Sequence, residues 1–142
     1  MMKTKTRIIF VCTNNSARSQ MAEGILRHLH GDLYEVYSAG TEPTTVNPLA
    51  IAVLKEIGID ISRHRSKGIS EFIGMDFDVA VTVCDRSNKK CPFVPGAKIT
   101  VHRSFADPDD QASFRKIRDE ITQWIAETFR NPSIFDQPGL IL

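Results

Sequence analysis

The sequence predicts an α/β protein, a three-layer sandwich in which a four-stranded parallel sheet carries helices on both faces. Apolar, β-rich runs alternate with helical patterns along the chain. The run at residues 77–83 is apolar almost throughout, as in a central strand that is covered on both faces. At 142 residues, with 42% hydrophobic and 25% charged residues, the chain can form one core. We therefore expect a single domain over residues 1–142 that ends in a tail at 131–142.

The first strand and helix are predicted at the start of the chain. The apolar run at residues 8–11 predicts the strand, and residues 19–30 predict a helix that Gly31 is placed to cap. The apolar positions of this helix recur at helical spacing and share one face: Met21, Ala22, Ile25, Leu26 and Leu29.

The second strand is predicted at residues 34–39, followed by a loop at 40–43. Asn47 and Pro48 predict the start of a second helix, because asparagine is a favoured N-cap and proline suits the first helical position. Gly58 is expected to end this helix, and residues 70–75 predict a further short helix. The apolar face of the second helix is predicted to contain Leu49, Ala50, Val53, Leu54 and Ile57.

The third strand is predicted at residues 77–83, the fourth at 98–101 and the last helix at 112–130. Trp124 is interpreted as core packing. The core face of the last helix is predicted to be Phe114, Ile117, Ile121, Trp124 and Ile125. Apolar residues of the tail are expected to lie against the protein surface: Ile134, Phe135, Leu140, Ile141 and Leu142.

The loop at residues 12–18, which reads C-T-N-N-S-A-R, predicts an anion site. A loop between a strand and a helix points successive N–H groups at one spot, with the positive end of the helix dipole behind them. Arg18 adds a planar fork that suits a tetrahedral oxyanion, and Cys12 is a candidate nucleophile. The alternative is a buried cysteine in an ordinary turn; the nucleotide-binding pattern G-x4-G-K-[S/T] is absent. The oxyanion is expected to meet Thr13, Asn14, Asn15, Ser16, Ala17 and Arg18, with Ser16 or Ser19 supplying a hydroxyl to the thiolate.

Two further candidates follow predicted strands at their carboxyl ends. Ligands of such sheets bind at this edge, so Cys84 and Asp107 are expected near Cys12. Cys84 can approach Cys12 if the first and third strands are neighbours. Cys84 and Cys91 can also form a disulfide if the polar segment between them folds back. The alternatives are two inert cysteines and a simple Asp-Pro turn.

Composition argues against several classes of protein. A net charge of +1 gives no reason to expect binding to nucleic acid or to an acidic membrane. The N-terminal residues run at once into a strand instead of a signal-peptide core or a membrane span, so we expect a cytoplasmic protein, and a monomer. Its 3 cysteines do not suit a fully paired secreted scaffold. The cysteine and histidine pairs expected of a zinc site, C-x2-C and H-x3-H, are absent, although His28, His30, His64 and His102 could serve as ligands. We expect neither a metal nor a bound cofactor.

The string C-T-N-N-S-A-R-S-Q-M-A-E-G is similar to the low molecular weight protein tyrosine phosphatases, and most similar to the thioredoxin-coupled arsenate reductases of that fold. V-T-V-C-D, the later C-P and F-A-D-P-D-D extend the resemblance over most of residues 7–130. It implies that Cys12 attacks arsenate held by Arg18 and that Asp107 protonates the departing oxygen. Cys84 then attacks Cys12 and arsenite leaves, and Cys91 attacks Cys84. The resulting Cys84–Cys91 disulfide is reduced by thioredoxin, in the service of arsenic detoxification.

The chain departs from the family pattern in two places. Relatives often carry glycine at position 14 and cysteine at 17, and Asn14 is strained if that position needs a positive φ. Some members bind potassium beside the loop, and Asn15, Glu23 and Ser38 match ligand positions of that site. Lys67 stands near the place of another acidic ligand, and we hypothesise that its ammonium replaces the cation. The alternative is a solvated surface lysine.

Two other functions remain open at this point. A low molecular weight phosphatase that hydrolyses phosphate monoesters needs only Cys12, Arg18 and Asp107. Such phosphatases usually carry aromatic residues after the Asp-Pro pair, where they hold the phenyl ring of the substrate. This chain has Asp109 and Asp110 there instead, and two carboxylates should repel anionic phosphopeptides. A non-catalytic redox sensor is the third alternative, and no sequence feature supports it.

Overall fold

The computed structural model describes residues 5–84, 94 and 96–136. Four strands are present in this part of the chain: β1 (Thr6–Cys12), β2 (Tyr34–Gly40), β3 (Phe77–Thr82) and β4 (Ala97–His102). The α-helices are α1 (Arg18–His30), α2 (Pro48–Lys55) and α3 (Gln111–Thr128), and 3₁₀ helices lie at Ile69–Phe72 and Pro132–Asp136. None of the helices in the described ranges is long and apolar enough to cross a membrane.

The strands form one parallel sheet in the order β2-β1-β3-β4. In the register of the central strand β1, Ile8 lies between Val36 of β2 and Val79 of β3. The predicted α/β sheet is confirmed, and β1 and β3 are direct neighbours. This is the arrangement required for the residue after β3 to approach the residue at the end of β1.

Alternate residues of β1 enter two different cores. Ile8 and Phe10 join a large cluster to which α1, α2 and α3 all contribute. Ile9 and Val11 join a smaller cluster on the other face, where the 3₁₀ helix Ile69–Phe72 contributes the cover. Both faces of the sheet are therefore buried, which explains why β1 is apolar from Ile8 to Cys12 and why β3 is apolar over most of its length.

Two residues assigned to apolar helix faces lie outside the core. Leu29 is 39% exposed because it lies in the last turn of α1, beyond Leu26, the last buried position of that helix. Ile57 is also 39% exposed, since α2 already ends at Lys55. Both assignments were wrong because helical spacing shows which residues share a face but not how far the opposing core extends.

The tail packs as expected as far as the structure describes it. The ring of Phe135 is buried, with centroids 5.4 Å from Phe129 and 6.5 Å from Tyr34. Leu140, Ile141 and Leu142 lie outside the described residues. The expectation for the tail is thus met at Phe135 and stays a prediction beyond it.

Side-chain caps fix the starts of α2 and α3. Asn47 Oδ1 accepts a hydrogen bond from Leu49 N at 2.9 Å, which confirms the predicted N-cap. Asp110 caps α3 by accepting from Ser113 N at 2.8 Å, and Ser113 Oγ accepts from Asp110 N at 3.0 Å. Asp110 thus has a structural role that the sequence analysis missed, although D-x-x-S before a helical pattern is a recognisable capping signal.

Glu56 links α2 to α3, and this contact predicts a pH-dependent stability. Its carboxylate accepts hydrogen bonds from Arg115 Nη2 and Arg118 Nη1, both at 2.7 Å. These bonds, led by that of Arg115, lower the pKa of Glu56 to about 2. Because this pKa is lower in the folded state, the stabilisation is complete above the ordinary glutamate pKa and disappears as the pH falls toward 2.

We expect Glu56→Gln to lower the melting temperature at pH 7, with a difference from the native protein that shrinks as the pH falls from about 4.5. Glu120→Gln, which removes the same charge from an exposed position of α3, serves as the control. A difference that stays constant between neutral and acidic pH would contradict the role of this ion pair.

Candidate active site

The loop between β1 and α1 turns its carbonyl groups away from the site. Donors from outside the loop bind these oxygens: Glu42 N donates to Thr13 O at 2.8 Å, Ser66 Oγ to Asn14 O at 2.9 Å, and Asn47 N to Ser16 O at 2.9 Å. A peptide N–H points opposite to the carbonyl of the same peptide plane, so the N–H groups face the interior of the loop. The result is a concave set of donors suited to an anion.

Two backbone positions allow the loop to close so tightly. A Cβ at Gly40, at the end of β2, would lie 2.5 Å from Thr13 O, so only glycine fits there. Asn15 has a positive φ of 48°, in the left-handed region that asparagine tolerates better than most residues. The concern about strain at Asn14 was misplaced, because Asn15 carries the left-handed conformation.

Cys12 lies at the bottom of the loop, and its side chain meets two donors. Asn15 N donates to Cys12 Sγ at 3.2 Å, and Ser19 Oγ lies 2.9 Å from the sulfur. Ser19 Oγ itself accepts from Asn15 Nδ2 at 2.8 Å, so its proton is free to point at the sulfur. Both contacts place hydrogen-bond donors beside the sulfur, and the thiolate is the reactive form of cysteine. Cys12 is a buried free cysteine with 3% of its surface exposed.

Arg18 and Asp107 complete the rim of the site. Arg18 Nη1 donates to Phe105 O at 2.9 Å, which holds the guanidinium, and Arg18 Nε lies 3.8 Å from Asp107 Oδ1. The Asp107 side chain is 72% exposed, so it can meet a bound anion from the solvent side. Ala17, the N-cap of α1, makes no side-chain capping bond, and an anion can take that place at the helix N-terminus.

These groups enclose a polar cavity of about 190 Å³. Asn15 and Ser19 act from beneath it through their contacts with Cys12. The sequence analysis had assigned Asn47 only as a helix cap and Pro108 only as part of the Asp-Pro motif, yet both line the cavity. The N-P signal could not show this for Asn47, because it reports only the local helix start. The lining consists of Cys12, Thr13, Asn14, Ser16, Ala17, Arg18, Asn47, Asp107 and Pro108.

Cys84 lies beside the nucleophile at the end of the neighbouring strand. Val83 N donates to Val11 O at 3.0 Å, so the residues that precede the two cysteines are hydrogen-bonded to each other. Cys84 is fully buried in the same core cluster as Cys12, and it is disulfide-bonded. Cys91 lies outside the described residues, so the Cys84–Cys91 pairing stays a prediction.

The family model for low molecular weight phosphotyrosine protein phosphatases matches residues 7–131 of this chain. The chain belongs to this family. Within it, the similarity is to arsenate reductases, as the motif at residues 12–24 predicted. Arsenate reductase 1 of Staphylococcus epidermidis is 47% identical over 130 residues, which cover 90% of this chain and 97% of the relative.

Solved structures agree with this placement. A structure described as an arsenate reductase in the phosphate binding state has a TM-score of 0.77 and 35% identity, and the match covers 86% of this chain and 95% of that one. A thioredoxin-dependent arsenate reductase from Corynebacterium glutamicum has a TM-score of 0.74 and 28% identity, over 92% of this chain and 63% of that one.

Lys67 Nζ lies beside Glu23 and Ser38, two of the residues that match ligand positions of the family's potassium site. This nitrogen is 3.0 Å from Arg65 O, 3.4 Å from Ser38 Oγ and 3.5 Å from Glu23 Oε1. Ser38 Oγ also donates to Glu23 Oε1 and accepts from Asn15 Nδ2 at 3.0 Å. Burial alone raises the pKa of Glu23, but the charge of Lys67 and the Ser38 hydrogen bond outweigh it and hold this pKa below its usual range. The four residues predicted for this site therefore lie together.

Proposed function

We propose that this protein reduces arsenate to arsenite through a relay of three cysteines that thioredoxin regenerates. The observation that carries the proposal is the anion loop closed around the free Cys12, with the disulfide-bonded Cys84 next to it. The relatives named above are arsenate reductases, which supports the same substrate.

In the first step, the Cys12 thiolate attacks arsenic, and an oxygen of arsenate leaves as water after protonation. The loop N–H groups and the Arg18 fork hold the remaining oxygens and stabilise the charge that they carry. Asp107 lies on the open side of the cavity, where it can deliver the proton. Ser19 and Asn15 N stabilise the attacking thiolate from below.

In the second step, the Cys84 thiolate attacks Cys12 Sγ. The sulfur–arsenic bond breaks, its electron pair stays on arsenic, and arsenite leaves while a Cys12–Cys84 disulfide forms. Cys91 then attacks Cys84, releases the Cys12 thiolate and leaves a Cys84–Cys91 disulfide. The two electrons that reduce arsenic thus come from a pair of cysteines, and a dithiol such as thioredoxin returns them.

Thioredoxin is proposed as the electron donor because a similar enzyme, that of C. glutamicum, is described as thioredoxin-dependent. A thioredoxin-coupled relay needs a reducing compartment, so a cytoplasmic location goes with the proposal. Phosphate has the same shape and charge as arsenate, so slow hydrolysis of phosphate monoesters at the same loop is an expected side reaction.

The test is arsenate-dependent oxidation of NADPH in the presence of thioredoxin and thioredoxin reductase, with the native protein and the Cys91→Ser variant compared. Turnover by the native protein that is lost in Cys91→Ser supports the full relay. Absence of turnover, together with efficient hydrolysis of para-nitrophenyl phosphate, would replace the proposal with a phosphatase. Arsenate turnover that persists in Cys91→Ser would instead remove the third cysteine from the mechanism.

We also propose that the Lys67 ammonium acts as a built-in cation beside the loop. Its oxygen contacts, in particular Ser38 Oγ and Glu23 Oε1, support this role. Exchange of sodium for potassium chloride at equal ionic strength is therefore expected to change neither kcat/KM for arsenate nor the melting temperature. Both are measured in the two salts, with lithium chloride as a further reference. A higher melting temperature or faster turnover in potassium alone would show that the site still takes the ion.

A further inference from the structure

Gln20, in the first turn of α1, is fully buried and is absent from the mechanism described so far. Its Nε2 lies 2.8 Å from Asn15 Oδ1, 3.2 Å from Asn15 O and 2.9 Å from Arg65 O. The two amide protons are therefore shared among three acceptors, and two of these, Asn15 Oδ1 and Asn15 O, belong to the one left-handed residue in the loop. Neither contact belongs to the regular hydrogen bonding of a helix.

The contacts of Gln20 fix which way the Asn15 amide faces. Asn15 Oδ1 receives two donors, Gln20 Nε2 and Lys67 N, each at 2.8 Å. Its Nδ2 must then face the other way, toward Ser19 Oγ at 2.8 Å and Ser38 Oγ at 3.0 Å. A flipped amide would set nitrogen against two donors, which is unfavourable in a buried site.

The orientation of Asn15 in turn determines how Ser19 contacts the sulfur of Cys12. Because Ser19 Oγ accepts from Asn15 Nδ2, its own proton is left for Cys12 Sγ at 2.9 Å. A chain of directed hydrogen bonds thus runs from Gln20 through Asn15 and Ser19 to Cys12. The link from Gln20 to Asn15 has one orientation, and toward a Cys12 thiolate the last link has one as well, because a thiolate has no proton to donate.

His64 holds the other end of Gln20. Gln20 Oε1 is only an acceptor, so His64 Nδ1, at 3.0 Å, carries a proton. Arg27 Nη1 lies 3.1 Å from His64 Nε2 and is always a donor, so Nε2 accepts. These two contacts describe a neutral ring with its proton on Nδ1, and burial, which lowers the pKa of His64, agrees with the neutral form. The carboxamide of Gln20 is therefore held at both of its ends.

We propose that Gln20 is a positioning residue for Cys12, which locks Asn15 so that the Ser19 hydroxyl donates to the sulfur. The inference rests on Cys12 being the nucleophile of the proposed function. Among the described residues that line the anion cavity, Gln20 is absent, so it acts through Asn15 and Ser19 and not on the substrate.

The test replaces Gln20 by methionine, which keeps the length of the side chain and removes its donors. The rate at which iodoacetamide alkylates Cys12 in the reduced protein is measured at neutral pH by mass spectrometry. We expect a slowing of about three- to tenfold, the size expected for a weakened hydrogen bond to a charged group. The kcat for arsenate should fall by a similar factor, with a smaller change in KM. Gln123→Met, an exposed glutamine on α3, is the matched control.

A double-mutant cycle separates positioning from a general loss of structure. Because Gln20 acts through the Ser19 hydroxyl, Gln20→Met should slow alkylation little further in a Ser19→Ala background. The proposal would be overturned if the double variant slowed alkylation by the full product of the two single-variant factors. A native alkylation rate in folded Gln20→Met would overturn it too. If Gln20→Met does not fold, His64→Leu takes its place in the same double-mutant cycle. This variant removes the hydrogen bond to Gln20 Oε1 and is also expected to slow alkylation of Cys12. The alkylation readout uses no arsenate, so its outcome is independent of whether arsenate is the substrate.

Discussion

Cys84→Ser is expected to abolish arsenate turnover while leaving para-nitrophenyl phosphate hydrolysis within about threefold of the native rate. Arsenate reduction needs a second thiol to attack Cys12, whereas phosphate ester hydrolysis needs only Cys12, Arg18 and Asp107. Cys84 is fully buried beside β1, and serine nearly preserves its volume, so the loop should keep its shape. The two activities are measured on the same preparation by coupled NADPH oxidation and by nitrophenol release.

Cys12→Ser is the control for this experiment, because it should lose both activities. Mass spectrometry of Cys84→Ser after exposure to arsenate tests for a direct Cys12–Cys91 disulfide, which would mark a bypass of the second cysteine. Arsenate turnover at the native rate in Cys84→Ser would contradict the proposed order of thiol exchange. Loss of both activities in this variant would mean that Cys84 supports the loop structurally.

Arg18→Lys is expected to lower kcat/KM for arsenate by about two to three orders of magnitude, although the positive charge is retained. The guanidinium is held in place by its bond to Phe105 O, its Nε lies 3.8 Å from Asp107 Oδ1, and Arg18 lines the cavity. An ammonium has neither the planar fork nor the reach to make both contacts. Lysine should therefore fail to orient a tetrahedral anion even where it still attracts one.

The measurement is steady-state kinetics with arsenate, combined with the dissociation constant of inorganic phosphate as a competing anion. Arg130→Lys, at an exposed position just beyond α3, controls for the change of residue type. A variant within tenfold of the native kcat/KM would show that charge alone holds the substrate. In that case the loop N–H groups would have to supply the orientation.

The site was partly predictable because several of its parts are local in sequence. The strand, the polar loop and the helix at its start follow one another directly, so Cys12 and Arg18, which line one cavity, could be chosen as candidates from one stretch. The capping pair Asn47–Pro48 was equally local. Asp110 could have been recognised in the same way, since its partner Ser113 lies three residues further along the chain.

The remaining features depend on residues that are far apart in the chain. Local sequence patterns do not show the order of the strands in the sheet, so they could not show that β1 and β3 are neighbours. The left-handed residue is Asn15. Its backbone carbonyl accepts from Gln20 Nε2, and its side-chain oxygen accepts from the backbone N–H of Lys67, 52 positions away. The position of that left-handed turn could not be read from residue types alone.

The sequence by itself determined the order of the elements, the polar loop between β1 and α1 and the family, because each is encoded in residues that are neighbours along the chain. Only the tertiary structure decided which groups surround Cys12 and its loop. Gln20 and His64 are 44 positions apart, and Asn15 and Ser38 are 23 apart. A hydrogen bond needs its two atoms within about 3 Å, and no local pattern predicts such a distance between residues that only the fold brings together.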